Sequence, residues 1–233
     1  MSGRHVLITG ASRGIGAALT GHLLAAGDWV VGCGRTPSAV AHERYHHCTV
    51  DVTDAPAVDR LFRDLKVRFK TLDVLINNAG IAGMNAIALT PVDAARRMIE
   101  TNFLAPFQFT REALRLMRGS TAARIVNIST VAVPLRLEGE AVYAASKSAL
   151  ETFTRIAARE VAPFGITCNA VGPCPIRTAL TAGVPDRKIQ ALIDRQAVRR
   201  WAIPEDVVNV VEFFLRPESG MVTGQVIYLG GAG

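Results

Sequence analysis

No part of this sequence is a long hydrophobic run. Of its 233 residues 49% are hydrophobic, but no apolar stretch approaches the roughly 20 residues that a membrane-spanning helix needs. The first five residues, Met1 to His5, lead directly into a short apolar segment that we predict to be a strand, without the pattern of a secretory signal. We therefore expect a globular protein of the cytoplasm, with no membrane as a partner.

Cysteine is scarce. The chain has four of them: Cys33, Cys48, Cys168 and Cys174. None belongs to a Cys-x-x-Cys pair, which favours reduced thiols over a redox or zinc motif. The His- and Cys-containing segment from His42 to Cys48 also lacks the ligand spacing of structural zinc, so we predict surface or strand residues there and no metal.

Basic residues exceed acidic ones, but they form no continuous run. The net charge is +6, and aromatic residues do not interleave with the cations as they do in many nucleic-acid-binding proteins. Nucleic acid is therefore not an expected partner. The densest basic segment lies between Arg187 and Arg200. We interpret it mainly as a solvated face; the alternative is a surface that receives an anionic substrate or an acidic carrier protein.

Short β-branched runs alternate with segments of helical periodicity. The candidate strands are His5–Thr9, Trp29–Cys33, His46–Asp51, Leu72–Asn77, Arg124–Ser129, Ile166–Val171 and Gln225–Leu229. Several are continuously apolar, as expected for parallel strands that helices cover on both faces. The pattern predicts an α/β, Rossmann-like doubly wound fold: a seven-stranded parallel sheet with helices on both faces, in one domain over residues 1–233.

Two connecting segments carry more specific predictions. The segment from Ala141 to Val161 has helical periodicity. Its apolar stripe consists of Val142, Ala145, Ala149, Phe153, Ile156 and Ala157. Between Arg35 and Asp51, by contrast, the chain has too few residues for a crossover helix, and we predict a single turn or an irregular loop.

A glycine-rich segment follows the first predicted strand: Thr9-Gly10-Ala11-Ser12-Arg13-Gly14-Ile15-Gly16. Glycine tolerates a positive φ and lets backbone amides approach a phosphate, and the N-terminus of the following helix favours an anion. The spacing Gly-x-x-x-Gly-x-Gly differs from the common dinucleotide fingerprint. We interpret the segment as a phosphate-binding turn; the alternative is a tight strand-to-helix turn without a ligand.

Two arginines bear on which dinucleotide is bound. In dinucleotide-binding folds, an acidic residue near the end of the second strand bonds the ribose 2′-hydroxyl. Here that strand is followed by Gly34 and Arg35, while Arg13 lies in the glycine-rich segment. An arginine can bind a 2′-phosphate through two hydrogen bonds, whereas a carboxylate would repel it. The pair predicts NADP(H) rather than NAD(H), although an isolated arginine is more often a surface residue.

Tyr143 and Lys147 stand four residues apart in a segment predicted to be helical, so they share a face. A free phenol has a pKa of about 10, too high for ready proton exchange at neutral pH. A neighbouring ammonium and an oxidised nicotinamide would lower that pKa. Tyr143 would then act as general acid in reduction and general base in oxidation. The alternative is a Tyr and a Lys on a solvated helix face.

Together these motifs resemble the short-chain dehydrogenase/reductase family over nearly the whole chain. Asn77-Asn78-Ala79-Gly80 matches the family's fourth-strand motif, and Thr223-Gly224 with Leu229-Gly230-Gly231 resembles its C-terminal strand. The resemblance implies that a Lys also binds the nicotinamide ribose and that Asn102 anchors a proton-relay water. The cofactor-binding residues that it implies are Gly10, Ser12, Arg13, Gly14, Ile15, Gly16, Arg35, Asp51, Val52, Asn78, Ala79, Gly80, Tyr143, Lys147, Pro173, Ile176 and Thr178.

The sequence departs from the family pattern at two positions. The catalytic Ser of the family lies thirteen residues before the Tyr, which is Thr130 here; Ser129 occupies the preceding, usually structural place. A Thr hydroxyl has the same donor capacity, so we predict a working Thr130 with Ser129 as the alternative. The family's Pro-Gly reads Pro173-Cys174, and we expect the loop over the nicotinamide to differ because Cys lacks the conformational freedom of Gly.

These observations lead to one hypothesis and an alternative. The resemblance implies an NADPH-dependent reductase of ketones, similar to 3-oxoacyl-carrier-protein reductases and biosynthetic ketoreductases, in which Tyr143, Lys147, Thr130 and Asn102 are catalytic. The alternative is a catalytically idle protein that binds NADP(H) as a sensor or scaffold. By the same resemblance we expect a homotetramer or homodimer built on the helices around 93–118 and 141–163. Substrate choice would depend on loops 81–90, 131–140 and 178–200.

Overall fold

A computed structural model describes residues 3–231 and contains one sheet of seven parallel strands. In chain order the strands are β1 (His5–Thr9), β2 (Trp29–Gly34), β3 (Tyr45–Thr49), β4 (Val74–Asn77), β5 (Arg124–Ile128), β6 (Thr167–Gly172) and β7 (Val226–Tyr228). They lie side by side in the order β3-β2-β1-β4-β5-β6-β7. The predicted doubly wound α/β fold is therefore confirmed.

Eight α-helices connect and cover the strands in the described part of the chain. They are α1 (Gly14–Ala25), α2 (Ala55–Phe69), α3 (Val92–Ile99), α4 (Ala105–Met117), α5 (Ala132–Leu135), α6 (Ala141–Val161), α7 (Asp186–Asp194) and α8 (Pro204–Leu215). A π-helical turn, Glu100–Leu104, joins α3 to α4. No helix within residues 3–231 is both long enough and apolar enough to cross a membrane.

Alternate residues of the central strand pack on opposite faces of the sheet. Val6 and Ile8 of β1 belong to a buried cluster with residues of α1 and α8, whereas Leu7 belongs to a second cluster with residues of α2 and α4. All three side chains are fully buried. The continuous apolar runs of the sequence are thus explained by a sheet that is covered on both sides.

The chain reverses its direction of travel along the sheet after β3. The first three strands extend outward from β1 on one side, and β4 then pairs with β1 on the other. In open α/β sheets, a crevice forms at the carboxyl ends of the strands where this reversal occurs. Between β2 and β3 the structure has no helix, as the short connection predicted.

Some predicted boundaries and one predicted stripe differ from the structure. The third strand spans Tyr45–Thr49 rather than 46–51, because Tyr45 pairs with Val30 and the pairing with β2 ends at Thr49. In α6, Ala157 is buried but Ile156 is 53% exposed, so the predicted apolar stripe does not face the core. The face toward the sheet instead carries polar residues such as Ser146, which the apolar periodicity could not indicate.

Candidate active site

A cleft of about 1000 Å³ lies at the carboxyl ends of the strands, next to the reversal point. The glycine-rich turn lines one part of it, and the Tyr143–Lys147 pair lines another. All of the site residues predicted from the sequence line this cleft except Gly16 and Asn102. The structure therefore brings together motifs that are separated by more than a hundred residues of sequence.

The glycine-rich turn takes the conformation that its residues require. Gly10 and Gly14 have φ angles of +69° and +55°, in the left-handed region that favours glycine. Gly16 is buried within α1, and a Cβ there would lie 2.1 Å from the backbone oxygen of Gly10. Gly16 thus lets α1 pack against the turn and does not line the cleft, and its direct contact with a cofactor stays a prediction.

The loops that carry the two arginines lie side by side. The hydroxyls of Ser12 and Thr36 are hydrogen-bonded at 3.2 Å, and Arg13 and Arg35 are both exposed and line the cleft. Asp51 lines the same part of the cleft. The pKa of Asp51 is lowered chiefly by the backbone N–H of Thr53, with a smaller contribution from the charge of Arg35. The cationic end of the cleft therefore also contains one carboxylate.

The fourth-strand motif ties β4 to the glycine-rich turn. The Asn78 amide donates to the backbone oxygens of Thr9 and Gly10 at 2.9 and 3.1 Å. The Thr9 hydroxyl accepts from the backbone N–H of Asn78 and of Ala79. Beneath them, Asn77 is buried and donates to the side chain of Asn127 at 2.8 Å. These bonds hold the floor of the cleft in place where two strands diverge.

Lys147 lies on the buried face of α6 and reaches the end of β5. Its ammonium donates to the backbone oxygen of Ile128 at 2.6 Å, and only 4% of the residue is exposed. Burial lowers the pKa of Lys147 to about 8, and the charge of Glu151 opposes that shift. Glu151 lies one helical turn beyond Lys147, and no motif in the sequence indicated a role for it.

The pKa of Tyr143 is shifted mainly by burial. Burial raises it to about 12, the Thr130 hydroxyl opposes this shift through a hydrogen bond, and the charge of Glu140 adds to it. Lys147 is not among the causes of this shift, and the lowering of the Tyr143 pKa by Lys147 together with an oxidised nicotinamide stays a prediction. The Lys147 ammonium is bound to the carbonyl of Ile128, and burial lowers its own pKa. Tyr143 is thus a phenol that holds its proton firmly.

The adjacent hydroxyls at positions 129 and 130 have different partners. The Thr130 hydroxyl accepts from the backbone N–H of Ala132 at 3.2 Å, and it counteracts the burial shift in the pKa of Tyr143. Ser129 also lines the cleft, but its hydroxyl donates to the buried carboxylate of Glu151 at 2.5 Å. The chain thus presents the Thr130 hydroxyl, not that of Ser129, beside the phenol.

Asn102 lies beneath the cleft, in the π-helical turn. Its side-chain oxygen accepts from the backbone N–H of Ile81 at 2.9 Å, and its amide donates to the Ile81 oxygen and to Ser146 at 2.9 and 3.0 Å. The residue is fully buried. The side chain of Asn102 thus fixes the segment around Ile81, and the anchoring of a relay water by this residue stays a prediction.

The comparison with known families agrees with this site. A family model described as enoyl-(acyl carrier protein) reductase matches residues 10–231. The chain belongs to the short-chain dehydrogenase/reductase family. As a member of this family, it is an oxidoreductase that acts on a carbonyl or an alcohol with a nicotinamide cofactor.

Several curated relatives of this short-chain dehydrogenase/reductase are 3-oxoacyl-(acyl-carrier-protein) reductases named FabG. The protein of Escherichia coli K12 is 31% identical over 235 residues, which cover 98% of this chain and 96% of the relative. The protein of Vibrio harveyi is 30% identical over 237 residues, which cover 99% and 97%. The similarity thus extends over nearly the whole of both proteins.

Solved structures of similar shape include several dehydrogenases. A putative gluconate dehydrogenase from Agrobacterium tumefaciens has a TM-score of 0.91 at 30% identity, with 99% of this chain and 95% of that one covered. The aldohexose dehydrogenase of Thermoplasma acidophilum has a TM-score of 0.89 at 29% identity, covering 99% and 94%. A 4-hydroxyisoleucine dehydrogenase complexed with NADH has a TM-score of 0.88 at 26% identity, covering 98% and 97%.

The cleft of this short-chain dehydrogenase/reductase fits a nicotinamide dinucleotide. A Cβ at Gly10 would lie 2.9 Å from the Asn78 amide, and one at Gly14 would lie 3.4 Å from the Thr178 methyl, so larger residues would fill the cradle. A Cβ at Gly80 would lie 3.4 Å from the Lys147 ammonium. Glycine is thus found where a cofactor backbone would need close approach, from the phosphate end to the catalytic end.

Cys174 does not disturb the loop that follows β6. Within residues 3–231, Lys70 and Arg136 are the only non-glycine residues with positive φ, so position 174 does not need the conformational freedom of glycine. The expected difference in this loop is therefore not a consequence of backbone strain at Cys174. The side chain is buried, and burial raises the pKa of its thiol, which disfavours a nucleophilic role.

The described residues also contain no group of three His, Cys, Asp or Glu side chains arranged to hold a metal ion.

Proposed function

We propose that this short-chain dehydrogenase/reductase is an NADPH-dependent carbonyl reductase that converts a ketone to a secondary alcohol. One observation carries the proposal: Tyr143, Lys147 and Thr130 converge at the end of β5, in the same cleft that the glycine-rich turn lines. The cofactor supplies the hydride when it is bound. The residues of the chain bind the carbonyl, hold its oxygen and deliver the proton.

Each of the three side chains has a distinct task in this proposal. The Thr130 hydroxyl donates a hydrogen bond to the carbonyl oxygen. This bond becomes stronger as negative charge develops on that oxygen. Tyr143 keeps its proton until that charge appears, because burial raises its pKa, and then transfers the proton to the oxygen. The Lys147 ammonium helps to stabilise the phenolate that remains. Beneath the cleft, the hydrogen bonds of Asn102 hold the segment around Ile81 in place.

The preference for NADPH over NADH rests on Arg13 and Arg35. Both line the adenosine end of the cleft in this proposal, and neither has an ion-pair partner within 4 Å among the described residues. An arginine beside a 2′-phosphate forms charge-assisted hydrogen bonds. Because one similar structure contains NADH, this preference belongs to the particular residues of this chain rather than to the fold.

The proposed substrate is a 3-oxoacyl or polyketide-type ketone, which can be bound to a carrier. The FabG relatives carry the name of this reaction class. On the substrate side of the cleft, Met84 and Leu137 supply apolar surface, while Arg97, Lys188 and Arg195 supply positive charge. Cations at the cleft mouth would attract an anionic substrate or carrier. We also propose that the protein acts in the cytoplasm.

An assay of cofactor consumption tests the proposal. The purified chain would be mixed with a panel of 3-oxoacyl thioesters and simple ketones, with NADPH or NADH, and with an enoyl thioester as a contrast. The proposal predicts oxidation of NADPH with at least one ketone and with no enoyl substrate. If NADPH binds but is never oxidised, the protein is the idle NADP(H)-binding scaffold, for which the comparisons offer no support.

A homodimer or homotetramer is part of the proposal. Leu104, Phe107 and Ile156 are 47%, 45% and 53% exposed, and they lie on or beside α4 and α6. The rings of Phe107 and Phe153 contact each other edge to face between these helices. Large apolar side chains exposed together commonly mark a protein–protein contact. The helices around 93–118 and 141–163 would therefore pair with those of another copy.

A further inference from the structure

A buried carboxylate lies directly behind the catalytic residues. Glu151 is 3% exposed, and its two oxygens accept hydrogen bonds from the hydroxyls of Ser129 and Tyr228 at 2.5 and 2.6 Å. The guanidinium of Arg155 lies 4.0 Å from one of them and is about half exposed. Each oxygen of this buried carboxylate therefore has a hydroxyl donor, and a cation lies nearby.

Three side chains on successive turns of α6 meet the end of β5. Tyr143, Lys147 and Glu151 are each four residues apart, and all three are buried. They face the three consecutive residues 128–130: Lys147 donates to the carbonyl of Ile128, Glu151 accepts from the hydroxyl of Ser129, and the Thr130 hydroxyl affects the pKa of Tyr143. Side chains four apart on a helix are neighbours, so Glu151 lies one helical turn from Lys147 on the same buried face of α6.

We propose that Glu151 is a positioning residue whose carboxylate, held by Ser129 and Tyr228, is the buried counter-charge that keeps Lys147 protonated. An isolated ammonium away from water loses its proton readily, because burial disfavours the charged form. A negative charge in the same buried region favours the protonated form of the lysine. Glu151 touches neither the cleft nor the reacting atoms in this scheme, and it acts on the reaction through Lys147.

The charges around Lys147 are consistent with this role. Burial lowers the pKa of Lys147 to about 8, and Glu151 is the charge that opposes the shift. Tyr143 is the other titratable group on the same helix face, and burial keeps it protonated. From β7, Tyr228 faces Glu151, and its pKa is raised by burial and by its bond to that carboxylate. The neighbours of Lys147 on β5 and the π-helical turn, the Ile128 carbonyl and Asn102, do not titrate.

The titration of Lys147 can be measured without turnover. The full chain has four lysines: Lys66, Lys70, Lys147 and Lys188. Lys147 is buried, whereas the other three are exposed. With ¹³C-labelled lysine, an NMR titration of the ε-carbons would resolve Lys147 by its lower midpoint. As the pH rises through about 8, its ammonium loses the proton, and the reductase activity that depends on that proton falls in the same range.

Two variants remove the charge of Glu151 and two controls keep it. Glu151→Gln keeps the size of the side chain, and Glu151→Met replaces it by an apolar one that buried ion-pair sites often tolerate, so the test survives if Gln prevents folding. Glu151→Asp keeps the charge, and Glu160→Gln removes an exposed carboxylate from the same helix. The inference predicts that Gln and Met lower the Lys147 midpoint by roughly one pH unit, whereas Asp and Glu160→Gln leave it near the wild-type value.

An unchanged midpoint in both Glu151→Gln and Glu151→Met would overturn the inference, even if their turnover fell. The catalytic meaning of the inference rests on the proposed function, and the two can fail separately. If the Glu151 variants shift the Lys147 midpoint but the protein has no reductase activity, the counter-charge role of Glu151 is supported and the proposed reaction is refuted. In an active protein, the alkaline limb of kcat/KM should move to lower pH together with the NMR midpoint.

Discussion

Positions 129 and 130 carry similar hydroxyls with different environments. The Ser129 hydroxyl donates to Glu151, whereas the Thr130 hydroxyl affects the pKa of Tyr143, because adjacent residues at a strand end direct their side chains to opposite faces. The thirteen-residue spacing before Tyr143 indicated the same choice, since it placed the donor at position 130 rather than 129. The hydroxyl that contacts substrate is therefore proposed to be that of the threonine.

Thr130→Val should lower kcat/KM by about 10²–10³-fold, because it keeps the shape and deletes a donor to developing negative charge. Thr130→Ser should retain activity, since it removes only a methyl group. Ser129→Ala provides the matched control and should cost much less, because that hydroxyl acts through Glu151. Steady-state kinetics with one ketone would measure all three. A full rate in Thr130→Val together with a large loss in Ser129→Ala would place the catalytic hydroxyl at 129.

At the scale of secondary structure, the packing of α1 on the glycine-rich turn depends on Gly16. A Cβ there would lie 2.1 Å from a backbone oxygen, which cannot move as a flexible side chain could. Gly21 lies on the same helix, is exposed, and has no atom within 4 Å of its ideal Cβ. An added Cβ would collide with neighbouring atoms at Gly16 but not at Gly21, so the two glycines form a matched pair for substitution.

Gly16→Ala should lower the free energy of unfolding by about 1–3 kcal/mol, the usual effect of overpacking. Gly21→Ala should raise it by about 0.5–1 kcal/mol, because alanine is the better residue in an open helix position. Urea denaturation followed by circular dichroism would measure both. Equal stability of Gly16→Ala and the unmutated protein would show that α1 does not need close contact with the turn.

The loop after β2 carries the proposed cofactor preference. Arg35→Asp replaces a phosphate-binding cation by a group that repels phosphate and can bond a ribose hydroxyl. We expect the preference for NADPH to flatten or reverse, through a loss of about ten- to a hundredfold in NADPH affinity. Arg44→Asp is a suitable control, since Arg44 is a cation of the same region that does not line the cleft. Equal kcat/KM with both cofactors in the unmutated protein would contradict the assignment.

Several elements were predictable because their signals are local. The strands alternate with helices in a readable pattern, and the short segment between Arg35 and Asp51 excluded a helix by length alone. The burial of α6 was not predictable in the same way, because its inward face carries Ser146, Lys147 and Glu151, which apolar periodicity does not detect. Glu151 was missed because its partners, among them Tyr228, are distant in sequence and meet only in the folded sheet.

At the scale of the molecule, the exposed apolar face of α4 and α6 is the proposed contact between copies. Ile156→Glu should shift the protein toward the monomer, because a charge at the centre of such a contact loses its hydration without gaining a partner. Val67→Glu is the matched control, since Val67 is 85% exposed on α2. Light scattering after size exclusion would give the masses. A monomeric unmutated protein would refute this contact.

The proposed reaction depends on one proton donor. The chain has three tyrosines, and of these Tyr143 lines the cleft, whereas Tyr45 does not and is hydrogen-bonded to His47. The decisive measurement compares NADPH-dependent ketone reduction by the unmutated protein, Tyr143→Phe and Tyr45→Phe. We predict that Tyr143→Phe stays folded and loses about 10²–10⁴-fold in kcat/KM, while Tyr45→Phe keeps its activity. Near-normal reduction by Tyr143→Phe would contradict it, because the proton would then come from another group.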